Sequence, residues 1–221
     1  MLQLFTDTSA NLPVALTKQH HITVVPFSYT VDGKETDYPD DVDFDGAAFY
    51  GAMRCGAVVK TSMVNPDLMA NYFERALSQG DDVLYVGMSG GISGTAQAAV
   101  IAAGELTEKY PARKIVTIDT YAASLGEGLQ VLEATRMIEE GKSLDEIKAH
   151  LLARRPHMCQ FFTVDDLAYL KRGGRISSAT ALIGTVLSIK PILCGDETGH
   201  IVSCGKVRGM KRAYQELANY Y

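Results

Sequence analysis

The stretch from Val83 to Gly104 constrains the fold of this chain more than any other segment. It contains no charged residue, and it passes from an apolar run, Val83–Val86, through a turn rich in glycine and serine into an alanine-rich segment that begins near Ser93. A stretch of this length would suffice to cross a membrane, but five glycines and several hydroxyl side chains interrupt it. The pattern therefore predicts a strand, a tight turn and a buried helix, with no transmembrane segment.

Strands and helices alternate along the first two thirds of the sequence. Carboxylate and hydroxyl groups at Asp7, Thr8 and Ser9 are suited to cap a helix near Pro13, Asp43 is suited to cap the helix that follows, and Asn65-Pro66 is typical of a helix start. The predicted strands lie at 2–6, 22–27, 83–87 and 114–119, a hairpin at 29–38 turns about Asp32-Gly33, and the helices lie at 43–54, 66–79, 93–108, 121–140 and 143–154. This order predicts an α/β fold, with residues 1–155 forming a three-layer α/β/α domain around a mainly parallel sheet.

The pattern changes after Pro156. A predicted strand at 158–163 leads to a short helix at 166–170 and an amphipathic helix at 177–187, and two strands at 189–194 and 200–207 precede a final helix from about residue 210. The segment Gly195–Gly199 between those two strands is a plausible hairpin turn. We therefore expect residues 156–221 to form a second, smaller α/β domain with antiparallel pairing.

Cysteine usage and the amino terminus indicate a compartment. The four cysteines have no close C-x-x-C spacing, and Asp7 interrupts any apolar run that could serve as a signal peptide. We expect a cytoplasmic protein.

Charge is distributed unevenly. Residues 1–153 carry 11 Lys and Arg against 21 Asp and Glu, a net charge of −10, whereas residues 154–221 carry 10 against 5, a net charge of +5. The basic end is consistent with a solvated face or with a docking surface for an acidic partner. It lacks the interleaved aromatic residues and the recognition-helix spacing of a nucleic-acid-binding protein, so we expect no nucleic-acid partner.

The turn at 87–95 is suited to hold an anion. Ser93 as the helix N-cap, the backbone N–H groups of Gly94 and Thr95, and the Thr95 hydroxyl could together hold a carboxylate or a phosphate. A second hydroxyl pair, Thr61-Ser62, precedes the helix start at Asn65 and is expected at the carboxyl edge of the same sheet. The two pairs either converge on one small acid or merely cap their own helices.

A catalytic interpretation of the same turn is weaker. The segment Gly87–Gly91 fits the G-x-S-x-G pattern of a serine hydrolase that would use Ser89, or alternatively Ser93, as its nucleophile. The following glycines delay the helix, and His150, His157 and His200 lie in predicted helices or strands, where a structural role is commoner than a catalytic one. No Walker loop or dinucleotide-binding loop is visible. We expect no cofactor, no metal and no catalytic residue.

Several short motifs occur in an order that resembles the DegV family over essentially the whole chain. They are Thr6–Pro13, Thr61-Ser62, Ile92–Thr95, Asp119-Thr120 with Gly126 and Gly128, Asp166–Ser177, Ile189–Leu193 and Lys206–Arg208. The resemblance implies a bacterial two-domain protein that binds a long-chain fatty acid, of the type of the fatty-acid-binding subunit (FakB) of fatty acid kinase. In that system a separate ATP-binding kinase subunit phosphorylates the bound carboxylate to an acyl phosphate, which feeds phospholipid synthesis.

The resemblance also implies roles for individual residues. The carboxylate would meet Ser93, Gly94 and Thr95 at the helix start and Thr61-Ser62 on the other side, and the acyl chain would enter an apolar tunnel between the domains. Arg175 would neutralise the reacting oxygens or dock the kinase. Lys206 and Arg208 match partner-facing positions.

The chain departs from the family pattern in two places. Met63-Val64 stands where the family commonly has Gln-Pro, so the loop beside the headgroup is expected to differ in shape. Family members usually continue some tens of residues past the position of Tyr221, which implies that the second domain is incomplete here. A stand-alone sugar or glycerol kinase and a lipid-binding regulatory module without phosphoryl transfer remain alternatives.

Overall fold

The computed structural model describes residues 1–37, 43–175 and 188–220. The strands are β1 (Leu2–Asp7), β2 (Thr23–Val25), β3 (Ser28–Val31), β4 (Lys34–Asp37), β5 (Val59–Ser62), β6 (Asp82–Gly87), β7 (Ile115–Asp119), β8 (Phe161–Phe162), β9 (Ile189–Gly195) and β10 (Ile201–Arg208). The helices are α1 (Val14–Gln19), α2 (Gly46–Arg54), α3 (Pro66–Leu77), α4 (Thr95–Lys109), α5 (Leu125–Glu139), α6 (Leu144–Arg154), α7 (Leu167–Gly173) and α8 (Met210–Asn219). Short 3-10 turns lie at Thr8–Ala10 and Arg155–His157. The predicted helix at 177–187 lies outside the described residues.

A four-stranded parallel sheet forms the centre of the molecule. Its strand order is β2-β1-β6-β7, and each neighbouring pair is parallel. Helices α5 and α6 pack on one face through a cluster that includes Leu84 and Leu151, and α3 and α4 cover the other face through a cluster that includes Phe73 and Tyr85. Because both faces are covered, the central strand β6 is apolar and buried from Val83 to Val86. The predicted α/β/α layering is confirmed.

Two further sheets are antiparallel. The sheet β4-β3-β5 contains the predicted hairpin, in which Asp32 and Gly33 both adopt positive φ angles (51° and 82°), as a two-residue hairpin turn requires. The sheet β10-β9-β8 contains the second predicted hairpin, although β8 is only two residues long, shorter than expected. The smaller antiparallel α/β part of the predicted fold class is thereby confirmed.

The helix caps agree in part with the sequence. Asn65 caps α3 as predicted, because its side chain accepts a hydrogen bond from the Leu68 backbone N–H at 2.8 Å. The predicted cap at Asp43 is wrong: Asp45 caps α2, and the Asp43 carboxylate instead accepts from the Val14 N–H at the start of α1. Asp7 caps the 3-10 turn that follows it rather than α1.

Within the part of the chain that the structure describes, no helix combines the length and the apolar character that crossing a bilayer requires.

Candidate functional site

The turn between β6 and α4 lies at the carboxyl edge of the parallel sheet, where open α/β sheets bind their ligands. Its first serine, Ser89, is fully buried and donates a hydrogen bond to the Gly199 carbonyl at 2.8 Å, in the turn between β9 and β10. The Ser89 oxygen also accepts from the Gly91 N–H at 3.1 Å. Because these backbone groups occupy the hydroxyl and no histidine of the described chain is among its hydrogen-bond partners, the geometry does not support Ser89 as a nucleophile.

The approach of this turn to the β9–β10 hairpin is very close. A Cβ atom added at Gly91 would lie 2.6 Å from the Gly199 carbonyl carbon, so a side chain at position 91 would push the two segments apart. Glycine at this position therefore allows the C-terminal sheet to close against the turn.

A pair of hydroxyl groups lies at the start of α4. The Ser93 and Thr95 side-chain oxygens are 2.9 Å apart, and the Ser93 oxygen accepts from the Thr95 N–H at 3.3 Å. Ser93 is 9% exposed and Thr95 is buried. The N-cap is Gly94, so the prediction of Ser93 as the N-cap was wrong by one position. Gly94 is exposed and lacks a side chain, which leaves this helix terminus open to an anion.

The second hydroxyl pair approaches the same helix from another sheet. Thr61 and Ser62 are exposed at the end of β5, which pairs with β3 and is absent from the parallel sheet, so their predicted place at the edge of that sheet was wrong. The residues that follow nevertheless reach α4: the Val64 N–H donates to the Thr95 hydroxyl at 3.3 Å, and the Met63 sulfur lies 2.6 Å from the position of a Cβ on Gly94. Met63 and Val64 thus link the Thr61-Ser62 pair to the start of α4.

A cleft of about 310 Å³ opens beside the start of α4, between that helix, strand β7 and the end of α6. Ser93, Gly94 and Gln97 line one side, and Asp119 and Arg155 line the other. The Arg155 guanidinium donates to the Asp119 carbonyl at 3.2 Å and lies 3.9 Å from the centre of the Tyr121 ring, so it is held in place by both groups. A fixed positive charge therefore lies in the same cleft as Ser93.

A second cavity, of about 460 Å³, lies between β3 and α2. Tyr29, Val31, Phe44 and Phe49 line it, and the rings of Tyr29 and Phe49 meet edge to face at 5.3 Å. Tyr29 is paired with Thr61 across the strands, and directly opposite residues share one face of a sheet. This apolar cavity therefore lies on the Thr61 side of the sheet.

Buried acidic side chains near the turn were not predicted from the sequence. Asp7 accepts hydrogen bonds from the Tyr85 hydroxyl at 2.6 Å and from the Met88 N–H at 3.0 Å. Glu127, in the first turn of α5, accepts from the hydroxyls of Thr6 and Ser9. Burial, together with the negative charge of Asp7, raises the pKa of both Glu127 and Tyr85 well above their usual ranges. The position of Asp7 directly after a buried strand was the available sequence signal.

The predicted partner-facing residues lie in two places. The Arg175 side chain is exposed and donates to the Ile92 carbonyl at 3.2 Å, within the turn between β6 and α4. Lys206 and Arg208 are exposed on β10. Ile201, where β10 begins, follows the hairpin turn that contacts Ser89, and Arg208 lies about 23 Å farther along the strand at about 3.3 Å per residue. The structure therefore associates Arg175 with the turn and places Arg208 far from it.

Among the described residues, no group of three or more His, Cys, Asp or Glu side chains is arranged to hold a metal ion.

Known proteins resemble this chain over nearly its full length. A DegV domain-containing protein of Clostridium perfringens is 40% identical over 216 residues, which cover 97% of this chain and 74% of the relative. The structure of a fatty-acid-binding DegV family protein from Thermus thermophilus is 35% identical to this chain, with a TM-score of 0.85. The match covers 99% of this chain and 76% of the Thermus chain. The structure of a stearic-acid-binding protein from Eubacterium ventriosum has a TM-score of 0.88 and 30% identity, and the match covers 100% of this chain and 75% of that protein's chain.

The family assignment rests on the whole sequence as well as on these relatives. The DegV family, described as a family of uncharacterised proteins, matches residues 1–221. The chain spans about three quarters of the length of these relatives. The order of the motifs, the parallel sheet and the two antiparallel sheets all agree with this match, and the chain belongs to the DegV family.

Proposed function

We propose that this protein binds a long-chain fatty acid and presents its carboxylate to a separate ATP-binding kinase subunit, as the FakB-type subunit of a fatty acid kinase. The observation that carries the proposal is the pair of hydroxyls, of Ser93 and Thr95, beside the N-cap residue Gly94. The Val64 N–H binds the Thr95 hydroxyl and so connects this pair to the strand that ends in Thr61-Ser62. Relatives described as fatty-acid-binding proteins share 30% and 35% of its residues and its fold. In this assignment the chain itself is not the catalytic subunit.

The proposed headgroup site contains the groups that an anionic carboxylate requires. The Ser93 and Thr61 hydroxyls donate hydrogen bonds, and the start of α4 adds the positive end of the helix dipole. Ser62, Gly94 and Thr95 complete the ligand contacts of this proposal. Arg155 and Arg175 supply positive charge on two sides of the turn.

The acyl chain supplies most of the affinity. Burial of one methylene group contributes about 0.8 kcal/mol, so a tail of about a dozen methylenes outweighs the few hydrogen bonds of the headgroup. We place the tail in an apolar tunnel between a domain of residues 1–155 and a second domain that begins at residue 156. Phosphorylation of the bound acid would then give an acyl phosphate for phospholipid synthesis in the cytoplasm.

The kinase subunit is proposed to dock on the basic residues Arg175, Lys206 and Arg208. Their positive charges complement an acidic partner, and Arg175 contacts the turn that holds the carboxylate. Charge complementarity mainly accelerates the encounter and orients the partner.

Binding of a labelled C18 fatty acid tests the proposal. We expect Ser93→Ala to weaken binding by about 1 kcal/mol, the usual contribution of one hydrogen bond. Ser78→Ala is the matched control, because Ser78 ends α3 just before β6, at the opposite edge of the parallel sheet. Equal affinities of the two variants would remove Ser93 from the site. Binding without transfer of the ATP γ-phosphate in the presence of the kinase subunit would favour a lipid-binding regulatory module.

A further inference from the structure

Two carboxyl groups are buried side by side behind the anion-binding turn. The side chains of Asp7 and Glu127 are both fully buried, at 0% exposure. Ser9 joins them, because its backbone N–H donates to Asp7 at 2.9 Å and its hydroxyl donates to Glu127. Neither carboxyl group belongs to the proposed headgroup contacts, so their burial requires a separate explanation.

No positive charge balances this pair within the described residues. The Tyr85 hydroxyl from β6 contacts Asp7, the Asp119 carboxylate from β7 adds a further negative charge near Tyr85, and the ion pairs of the described chain include neither Asp7 nor Glu127. Two adjacent carboxylates cannot both remain ionised in a buried site without a cation, so one of them carries a proton.

The hydrogen bonds identify which group is ionised. Asp7 accepts from two backbone N–H groups, of Ser9 and Met88, and from the Tyr85 hydroxyl, and three such donors stabilise a carboxylate. Among the described residues, Glu127 accepts from the hydroxyls of Thr6 and Ser9 and from no backbone N–H. Burial and the charge of Asp7 raise the pKa of Glu127 well above its usual range, which agrees with this assignment.

We propose that Glu127 carries a proton at neutral pH while Asp7 is ionised, and that this acid–carboxylate pair positions the anion-binding turn from Met88 to Gly94. The Asp7 carboxylate fixes the start of the turn through the Met88 N–H. Loss of the Glu127 proton puts a second negative charge beside Asp7, which displaces the groups that Asp7 holds and repels an anionic ligand. Glu127 is thus a positioning residue, and this role rests on the proposed function of the turn.

Infrared spectroscopy tests the proton directly on the whole protein. A buried protonated carboxyl group gives a carbonyl stretching band at pH 7 that shifts in D₂O and disappears as the pH rises. We expect this band in the wild type and in Glu133→Gln, and its loss in Glu127→Gln. Glu133 is the matched control on the same helix, because hydrogen bonding to Arg136 lowers the pKa of Glu133 to about 2. A wild type without the band, or a band that persists in Glu127→Gln, would overturn the proposal.

Binding of cis-parinaric acid below and above the pH at which the infrared band of Glu127 disappears tests the positioning role. We expect wild-type affinity to fall about tenfold as Glu127 loses its proton, and the affinity of Glu127→Gln, which imitates the neutral acid, to stay constant. Identical pH profiles of the two proteins would contradict the positioning role. Absence of binding by the wild type at every pH would instead contradict the proposed function. The infrared result would still show whether Glu127 is protonated.

Discussion

The parallel sheet with its helices and the C-terminal sheet β8–β10 are stabilised in different ways. Two large clusters of buried apolar side chains cover the two faces of the parallel sheet. In the C-terminal sheet, Leu193 is the buried centre of a small cluster whose other members, among them Phe162 and Ile201, are only partly buried. Among the described residues, the first region therefore has the larger apolar core.

Contacts between the two regions lie at the carboxyl edge of the parallel sheet. Ser89 donates to the Gly199 carbonyl, and the Gln160 side chain donates to the Ala123 carbonyl at 2.6 Å. Each of them ties a loop that follows a parallel strand to a residue outside the parallel sheet. The turn that carries Ser93 therefore contacts the second region, and attachment of that region helps to fix the position of the turn.

The largest expected effect is on the core of the first region. Phe73 is fully buried and packs edge to face on Phe5 at 5.3 Å, so Phe73→Ala should lower the free energy of unfolding by about 3–5 kcal/mol. Phe162→Ala, in the partly buried cluster of the C-terminal sheet, should cost clearly less. Denaturant unfolding of both variants measures the difference, and an equal or larger loss for Phe162→Ala would contradict the comparison.

A second variant disrupts the contact between the two regions. Gly199 has a φ of 78°, and a Cβ there would lie 2.1 Å from the Ser89 hydroxyl oxygen, so Gly199→Ala should lower the free energy of unfolding by about 2–5 kcal/mol and weaken fatty acid binding. Gly33→Ala is the matched control, because Gly33 has a similar φ of 82° and no atom within 4 Å of the added Cβ. It should lose only about 1–2 kcal/mol of stability. Similar losses in both variants would show that the Ser89 contact contributes little.

Two glutamates of α5 should give opposite pH dependences of stability. The pKa of Glu127 is raised in the folded protein, so the stability it contributes is complete below its ordinary pKa of 4.5 and is lost as the pH rises toward the folded pKa. The pKa of Glu133 is lowered to about 2, so its contribution is present above 4.5 and is lost as the pH falls toward 2. Thermal unfolding should therefore show a flatter alkaline side in Glu127→Gln and a flatter acid side in Glu133→Gln. The reverse assignment, or no change in either, would contradict these shifts.

The smallest expected effect on binding concerns the basic strand of the second region. Arg208→Glu should slow association with the kinase subunit by about tenfold at low ionic strength and reduce its salt dependence. Fatty acid affinity should remain unchanged, because Arg208 lies about 23 Å along β10 from the hairpin end. Lys148→Glu, an equal charge change on α6 in the acidic part of the chain, is the control for association kinetics. Loss of fatty acid binding by a folded Arg208→Glu protein would place Arg208 in the pocket, and retention of nucleic acid by the wild type would contradict the proposed partner.

The helices, strands and turns could be predicted from the sequence more accurately than the way in which they pack together. The run Val83–Gly87, the Asp32-Gly33 turn and the Asn65-Pro66 helix start are local signals, and the structure confirms each of them. The Thr61-Ser62 pair was expected at the wrong sheet because two hydroxyl residues before a helix start do not reveal which strand they pair with. The N-cap was misplaced by one residue because serine and glycine are both favourable at that position. The contact of Met63 with Gly94 joins residues far apart in the sequence, so no local pattern indicated it.

The buried acid pair shows the same limit more clearly. Asp7 and Glu127 are 120 positions apart in the sequence, and only the packing of α5 on the turn after β1 brings both of them onto Ser9. Close packing of Gly128 is part of that approach, since a Cβ there would lie 2.8 Å from the Ala10 carbonyl oxygen. The sequence shows glycines at 126 and 128, but it does not indicate that this face of α5 packs against the turn after β1.

Native mass spectrometry of the protein purified from cells tests the central claim most directly. The account predicts a protein mass increased by one acyl chain, released on denaturation as a long-chain fatty acid, with lower occupancy in Ser93→Ala than in Ser78→Ala. A wild-type protein that carries no lipid, and that also fails to bind added fatty acid, would contradict it.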